Sequence, residues 1–281
     1  MLGSLNSAVS GLKNFQEKMD TIGNNIANVN TTGYKAARND FADSFNETLQ
    51  SSSASTGTTT GTDSMQIGTG VTTSAIKNIF TQGSMASTGV KTDLAIEGEG
   101  YFVVHDLASD AQLATRAGNF EKDTQGYLVT ATGQRVQGYS DAGLTTIGDI
   151  KIDDAGKPAA STGSFQNYTI DQFGKINVTL TDGTQFVRGQ VLLQNFQNQQ
   201  ALLKQGNNLY SGLNAAGPLA TAGAPGTNGL GHIVPEHLEL SNVDLANEFA
   251  SLITTQRGFQ ANARIISTSD ELLQELVNLT R

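Results

Sequence analysis

Apolar side chains recur at alternating steps of three and four over the first thirty residues, at Leu2, Leu5, Val9, Leu12, Met19, Ile26 and Val29, with Gln16 and Gly23 in the intervening places. The C-terminal stretch repeats the pattern for longer, through Leu245, Phe249, Leu252, Gln256, Phe259, Ala263, Ile266, Asp270, Leu273 and Val277. This is heptad spacing, which winds a narrow apolar seam along one helix face. It predicts a long helix at each end of the chain, the second ~55 Å long at ~1.5 Å per residue and capped by Ser241 or Asn242. No third long helix is predicted between them. Each stripe needs an apolar partner, so the simplest solution pairs the two ends with each other and with copies from neighbouring molecules. Gln16, Gln256 and Asp270 are placed to fix register within such a seam. Gly11, Gly23 and Gly258 each weaken helix propensity by about 1 kcal/mol relative to Ala, so the helices should be marginal until packed.

Between the ends the period changes. Residues 51–64 (SSSASTGTTTGTDS) read as a low-complexity connector with nothing to bury. Short β-branched or aromatic runs then alternate with turn residues: Leu94–Ile96, Tyr101–Val104, Gly126–Val129, Val136–Tyr139, Ile176–Leu180 and Phe186–Phe196. Asp182-Gly183 marks a hairpin, and Gly98-Glu99-Gly100 reads as a tight turn between strands, since it lacks the third glycine and following helix of a phosphate loop. A second Ala/Gly/Pro-rich tract, Asn214–Gly231, precedes the C-terminal helix. The fold class is therefore α+β, with helical ends at 1–35 and 240–281, an extended connector at 36–75 and a β-rich domain at 76–239.

Composition changes the picture mainly by exclusion. The net charge is -9 over 281 residues, and neither the two ends nor the middle is net positive. Nucleic acid and acidic membrane surfaces are thus poor partners. There is no cysteine, which removes disulfides and thiolate metal sites. The longest apolar run of the middle, Tyr101–Val104, is far too short to span a bilayer, so no membrane insertion is expected. The N-terminus shows neither a basic n-region nor a continuous apolar h-region, so no cleavable signal is visible. His105, His232 and His237 are the only candidates for acid–base chemistry near neutral pH. His232, Glu236 and His237 could be drawn as a metal cluster, but Pro235 and the Gly-rich tract argue against a helix that would converge them. Ser267, Thr268 and Ser269 lie within the predicted helix as packing positions. Neither catalysis nor a cofactor is expected.

Three segments carry a resemblance. The run Asn24-Asn25-Ile26-Ala27-Asn28-Val29-Asn30-Thr31-Thr32-Gly33-Tyr34-Lys35 closely resembles the N-terminal signature of bacterial flagellar rod and hook axial proteins. Asp93 to Val104, followed by Thr115 to Phe120 and Val136 to Tyr139, looks like that family's core β-motif in the expected order. Ser241 to Leu245, Gln256 to Asn262 and Leu276 to Leu279 resemble its C-terminal signature. Asn28 to Gly33 also has the composition of a helix exit, with Gly33 as a natural C′ residue.

The resemblance implies that the terminal helices form a coiled-coil inner domain lining a tube, with the β-domain as an outer layer. The assembly seam would comprise Leu5, Val9, Leu12, Met19 and Ile26 with Leu245, Phe249, Leu252, Phe259, Ile266, Leu273 and Val277. Asn24, Asn25, Asn28, Asn30, Gly33 and Tyr34 would be the motif residues. It further implies a homopolymer exported unfolded by the flagellar type III apparatus without a cleavable signal, and a place in the extracellular hook or the basal body. The C-terminal wording reads closer to hook subunits, which implies a flexible torque-transmitting joint whose partners are rod proteins, hook–filament junction proteins and the hook cap. A distal rod subunit is the alternative, favoured by the short chain.

Overall fold

A computed structural model describes residues 2–55, 60–159, 161–219 and 222–279. Positions 56–59 of the expected connector, 160 and 220–221 of the middle, and the chain ends at 1 and 280–281 lie outside the described residues. The helices are α1 (Leu2–Ala27), α2 (Leu213–Ala216) and α3 (Leu245–Leu279). The chain divides into a helical unit, 1–27, 36–79 and 243–281, and a β body, 28–35 and 80–242. Two expected boundaries move as a result. Residues 28–35 leave the helical ends for the body, and most of the expected connector joins the helical unit.

In the helical unit, α1 and α3 run antiparallel. Gly11 lies against Asn262, Phe15 against Gly258, and Asn25 Nδ2 donates to Glu248 Oε1 at 3.0 Å. The α3 cap is Asp244, three residues later than Ser241: its Oδ1 accepts from Ala246 N at 2.9 Å and Asn247 N at 3.3 Å. A carboxylate also suits the positive end of the helix dipole, which a serine does not exploit.

Residues 37–55 and 60–78 pair with one another over most of the stretch expected to be an extended connector. Ala37–Asp43 pairs with Val71–Asn78, Ser44 N bonds Gly70 O at 2.9 Å, Thr69 N bonds Phe45 O at 3.0 Å, and Asn46–Gln50 pairs with Met65–Gly68. A bridge at Ser53 and Thr62 extends it further. The Ser/Thr-rich stretch thus supplies ladder partners, because β-branched threonines tolerate extended backbone regardless of low complexity.

In the body, one large antiparallel sheet carries the strands Phe165–Ile170, Lys175–Leu180, Gln185–Val191, Arg135–Tyr139, Tyr101–Asp106, Ala111–Thr115, Leu209–Ser211 and Leu203–Gly206 in that spatial order. Lys175–Leu180 alternates, burying Ile176, Val178 and Leu180, as a strand with one covered face must. Tyr101–Val104 is buried on both faces: Phe102 and Val104 enter the main core, while Tyr101 joins Phe196 and Tyr210 in a second, aromatic one. The 181–183 turn after Lys175–Leu180 is the hairpin expected at Asp182-Gly183. In the Ala/Gly/Pro-rich tract, α2 and bridges from Pro218 to Phe196 and from Gly223 to Leu193 hold the described residues against the body.

Gly118 sits where the chain passes the Leu94 carbonyl, and a Cβ there would strike that oxygen. The backbone atom cannot move aside, since Leu94 N donates to Gly118 O at 3.0 Å in the same crossing. Gly118→Ala is expected to cost the body about 3 kcal/mol as overpacking. A urea titration followed by tyrosine fluorescence checks it, and an unchanged midpoint would refute the clash.

Candidate assembly surfaces

Three surfaces follow from the packing. The first is the flank of the helix pair. The most deeply buried side chains of α1 are Ala8, Asn14, Ile22 and Asn25, and those of α3 are Thr255 and Ser269. Apart from Ile22 these side chains are small or polar, and on α1 they lie mainly one residue before the apolar heptad positions. Gly11 and Gly258 belong to it: a Cβ at Gly11 would strike the Asn262 amide, and one at Gly258 would stand 2.7 Å from Phe15 Cζ. These glycines therefore buy close helix approach, whereas Gly23 faces open space.

The larger apolar residues flank that contact. Leu5, Leu12, Met19, Ile26, Leu252, Phe259 and Ile266 are half-buried, and Val9, Leu245, Phe249, Leu273 and Val277 are exposed. Periodicity alone located the apolar stripe but missed the polar one beside it. The missed signal was a second 3-4 row of small residues, Ala8, Gly11 and Ser251, Thr255, Gly258, Asn262, Ser269, in phase with a close crossing.

The second surface is the end of α3. Carrying the antiparallel register to the start of α1 at Leu2 reaches about residue 271. Beyond it, residues 271–279 are all exposed, including Leu272, Leu273, Leu276, Val277 and Leu279.

The third surface is the outer half of the long hairpin. Its base is fastened to α1: Asn14 Nδ2 donates to Val71 O at 2.8 Å, Thr73 Oγ1 donates to Asn14 Oδ1 at 2.6 Å, and Phe41 stands edge-on to Phe15 at 6.3 Å. Past Ser44 its described residues are exposed as far as Thr69. Alternation places Phe45, Leu49, Met65 and Ile67 on one face, and Phe45 is 89% exposed while the others are more than half exposed. A two-stranded ribbon with an open apolar face is marginal by itself in water.

The motif residues divide between the units. Asn24 and Asn25 end α1, where Asn25 Nδ2 donates to Ala37 O at 2.9 Å and Ala37 N returns a bond to Asn25 Oδ1 at 3.0 Å. Asn28, Asn30, Gly33 and Tyr34 lie in the body segment. Gly33 has φ +68°, but α1 ends at Ala27, so Gly33 is not the helix C′ residue. It turns the chain where Arg116 and Ala117 leave no room for a Cβ. Asn208 Nδ2 donates to Thr32 O at 2.7 Å, and the Lys204 ammonium lies 4.8 Å from the Tyr34 ring and bonds Lys35 O at 2.9 Å.

Beside them lies a buried charge cluster that sequence inspection did not single out. Lys35 Nζ lies 2.6 Å from Glu239 Oε1, and Arg116 Nη1 lies 3.4 Å from Oε2. Burial holds the Lys35 ammonium below its usual pKa, with the Glu239 charge opposing that shift. Burial likewise pushes the Tyr101 and Tyr210 phenols up. The histidines are dispersed: His105 Nε2 meets Asp110 Oδ1 at 2.8 Å, His237 Nδ1 meets Pro235 O at 2.8 Å, and His232 stands edge-on to Phe173. No group of three metal-ligating side chains is gathered among the described residues. No helix among them is long and apolar enough to cross a membrane.

Comparison with known proteins agrees with this layout. Residues 5–35 match the flagella basal body rod protein family, 95–178 the flagellar hook protein FlgE/F/G D1 domain, and 234–279 the flagellar basal body rod FlgEFG protein C-terminal region. The flagellar basal-body rod protein FlgG of Bacillus subtilis is 43% identical over 281 residues, covering 100% of both chains. That of Agrobacterium fabrum is 36% identical over 94% of each. The flagellar hook protein FlgE of Borreliella burgdorferi is 26% identical over 99% of this chain and 100% of its own, in an alignment of 443 positions that exceeds this chain's length. With end-to-end identity at this level, the chain belongs to the flagellar rod and hook axial protein family, a family of structural proteins and not of enzymes.

Proposed function

We propose that this chain is a distal rod subunit of the flagellar basal body, the reading that stood second to the hook on sequence alone. The exposed apolar face of the hairpin, Phe45, Leu49, Met65 and Ile67, carries the reading. A rod must stay straight under torque, which requires contacts that lock neighbouring copies together. Composition showed the 51–64 stretch to have nothing to bury, so it offers no lock of its own. The residues flanking that stretch supply the apolar surface it lacks. The full-length likeness to rod proteins named FlgG supports the same conclusion, as does the extra length of the hook relative.

The subunit polymerises with itself into a tube. The helix pair forms the inner layer as a coiled coil, and its flanking seam of Leu5, Leu12, Met19, Ile26, Leu252, Phe259 and Ile266 packs against adjacent copies. Other rod proteins precede it and hook subunits follow it. Export proceeds unfolded through the flagellar type III apparatus without a cleavable signal.

Polymers of the purified protein, imaged by electron microscopy, are expected to be straight. Those of Phe45→Ser/Ile67→Ser are expected to form and to curve, because the helical seam is intact while the lock is lost. Parent polymers that curve, or label on the subunit found only beyond the cell envelope in intact flagella, would return the reading to the hook.

A further inference from the structure

Apolar burial holds the sheet of the β body together, but it does not hold every segment laid against that sheet. Among the described residues, neither apolar cluster of the body draws a side chain from 28–35, 81–84 or 239–242. Residues 28–35 form no strand, and Tyr34 is their only deeply buried apolar side chain. What fastens these three segments is polar, and it converges on Glu239, which is fully buried. Its Oε1 accepts from Lys35 Nζ at 2.6 Å and from Gly83 N at 3.0 Å, while its backbone oxygen accepts from Gly33 N at 2.8 Å. Leu240 N donates to Ser84 O at 2.8 Å, and Lys35 Nζ and Asn242 Nδ2 both donate to Thr81 O. Three further ties reach the sheet and its adjoining turns. Arg116 Nη1 lies 3.4 Å from Glu239 Oε2, Lys204 Nζ donates to Lys35 O at 2.9 Å, and Asn208 Nδ2 donates to Thr32 O at 2.7 Å.

Such a fastening differs from the core in what it loses on opening. Releasing it returns Lys35, Glu239 and Arg116 to water together, which gives back the solvation that burial took from them. The sheet regains nothing comparable, since opening it exposes two apolar clusters. The three segments are also bound to release as a group. If Glu239 withdraws alone, Lys35 and Arg116 stay buried without a counter-charge, and Gly33 N and Gly83 N lose their acceptors.

We propose that residues 28–35 are a strap clasped against the body by Glu239, and that the strap, 81–84 and 239–242 open and close in one cooperative step while the sheet stays folded. The segment that carries the family signature is thus held down or released by a carboxylate 204 positions away from Lys35. The strap is independent of the rod assignment and would serve a hook subunit equally.

Native-state amide exchange on the full-length monomer, read residue by residue, tests it. The amides of Gly33, Gly83 and Leu240 report one segment each, and those of Tyr101–Asp106 report the sheet. In the parent the three are expected to share one protection factor, at least about tenfold below that of the sheet. Lys204→Met removes the tie to Lys35 O and strands no charge. It is expected to lower all three protection factors about fivefold, the worth of one hydrogen bond, with Tyr101–Asp106 unchanged. Lys35→Met leaves Glu239 paired with Arg116 and is expected to lower them about tenfold or more. The Lys204→Met result decides the matter by itself if Lys35→Met fails to fold. Acceleration of Gly33 alone would show three independent loops and overturn the proposal. So would equal acceleration of Tyr101–Asp106, parent amides as slow as those of the sheet, or a Gly33 amide unprotected in the parent.

Discussion

Glu239→Gln is expected to lower the melting temperature of the body by roughly 10 °C. The glutamine keeps the shape and can still accept from Gly83 N, but it strips the counter-charge from Lys35 and Arg116, which are 1% and 3% exposed. Removing one partner of a buried ionic group costs about 3–5 kcal/mol, because the remaining charges have lost their solvation and gained nothing in return. For a domain of this size each kcal/mol is worth about 2–4 °C. Replacing the whole group with Lys35→Met, Arg116→Met and Glu239→Leu is expected to melt within a few degrees of the parent, since no charge is stranded. Calorimetry on both proteins decides the matter. A Glu239→Gln protein that melts with the parent would mean that the cluster is solvated in solution and that its cations never depended on the carboxylate.

The cluster also marks where sequence stopped being informative. Local periodicity revealed what is local: the terminal helices, the alternation of Lys175–Leu180, the Asp182-Gly183 turn and the doubly buried Tyr101–Val104 run. Motif resemblance then placed the chain in its family. Neither could join Lys35 to Glu239, because that contact depends on how distant strands meet and no spacing rule spans it. Short strands such as Met85–Ser87, His232–Pro235 and His237–Glu239 were missed for the same reason: their partners, not their composition, make them strands. The paired strands within 37–55 and 60–78 were read as a connector because the Ser- and Thr-rich run 51–64 masks the apolar alternation on either side of it. The preference for hook over rod rested on the wording of the C-terminal segment, which the two kinds of subunit share too closely for it to decide. Surface that stays bare in one chain is the signature of assembly, and it becomes visible only once the chain's own contacts are known.

That distinction makes the end of α3 the sharpest place to test assembly. Leu273→Asp is expected to abolish polymer formation while leaving the monomer's melting temperature unchanged. Leu273 lies past the reach of α1 and is 37% exposed, so a carboxylate there remains solvated in the single chain. In a polymer the same position would be covered by a neighbour, and burying an unpaired charge in that contact costs about 3 kcal/mol or more. At about 1.4 kcal/mol per decade, the concentration needed for assembly rises roughly a hundredfold. Leu252→Asp differs in a useful way. Leu252 is already half-buried in the helical unit, so its substitution should weaken both the monomer and the polymer. Gln274→Asp, on the exposed adjoining position, introduces the same charge without removing an apolar side chain and serves as the control. Sedimentation of polymer against soluble monomer, read beside thermal melts of the three proteins, separates loss of fold from loss of assembly. Normal polymer from Leu273→Asp would show that the overhanging turns of α3 stay in solvent, and would move the assembly surface to the half-buried flank of the helix pair.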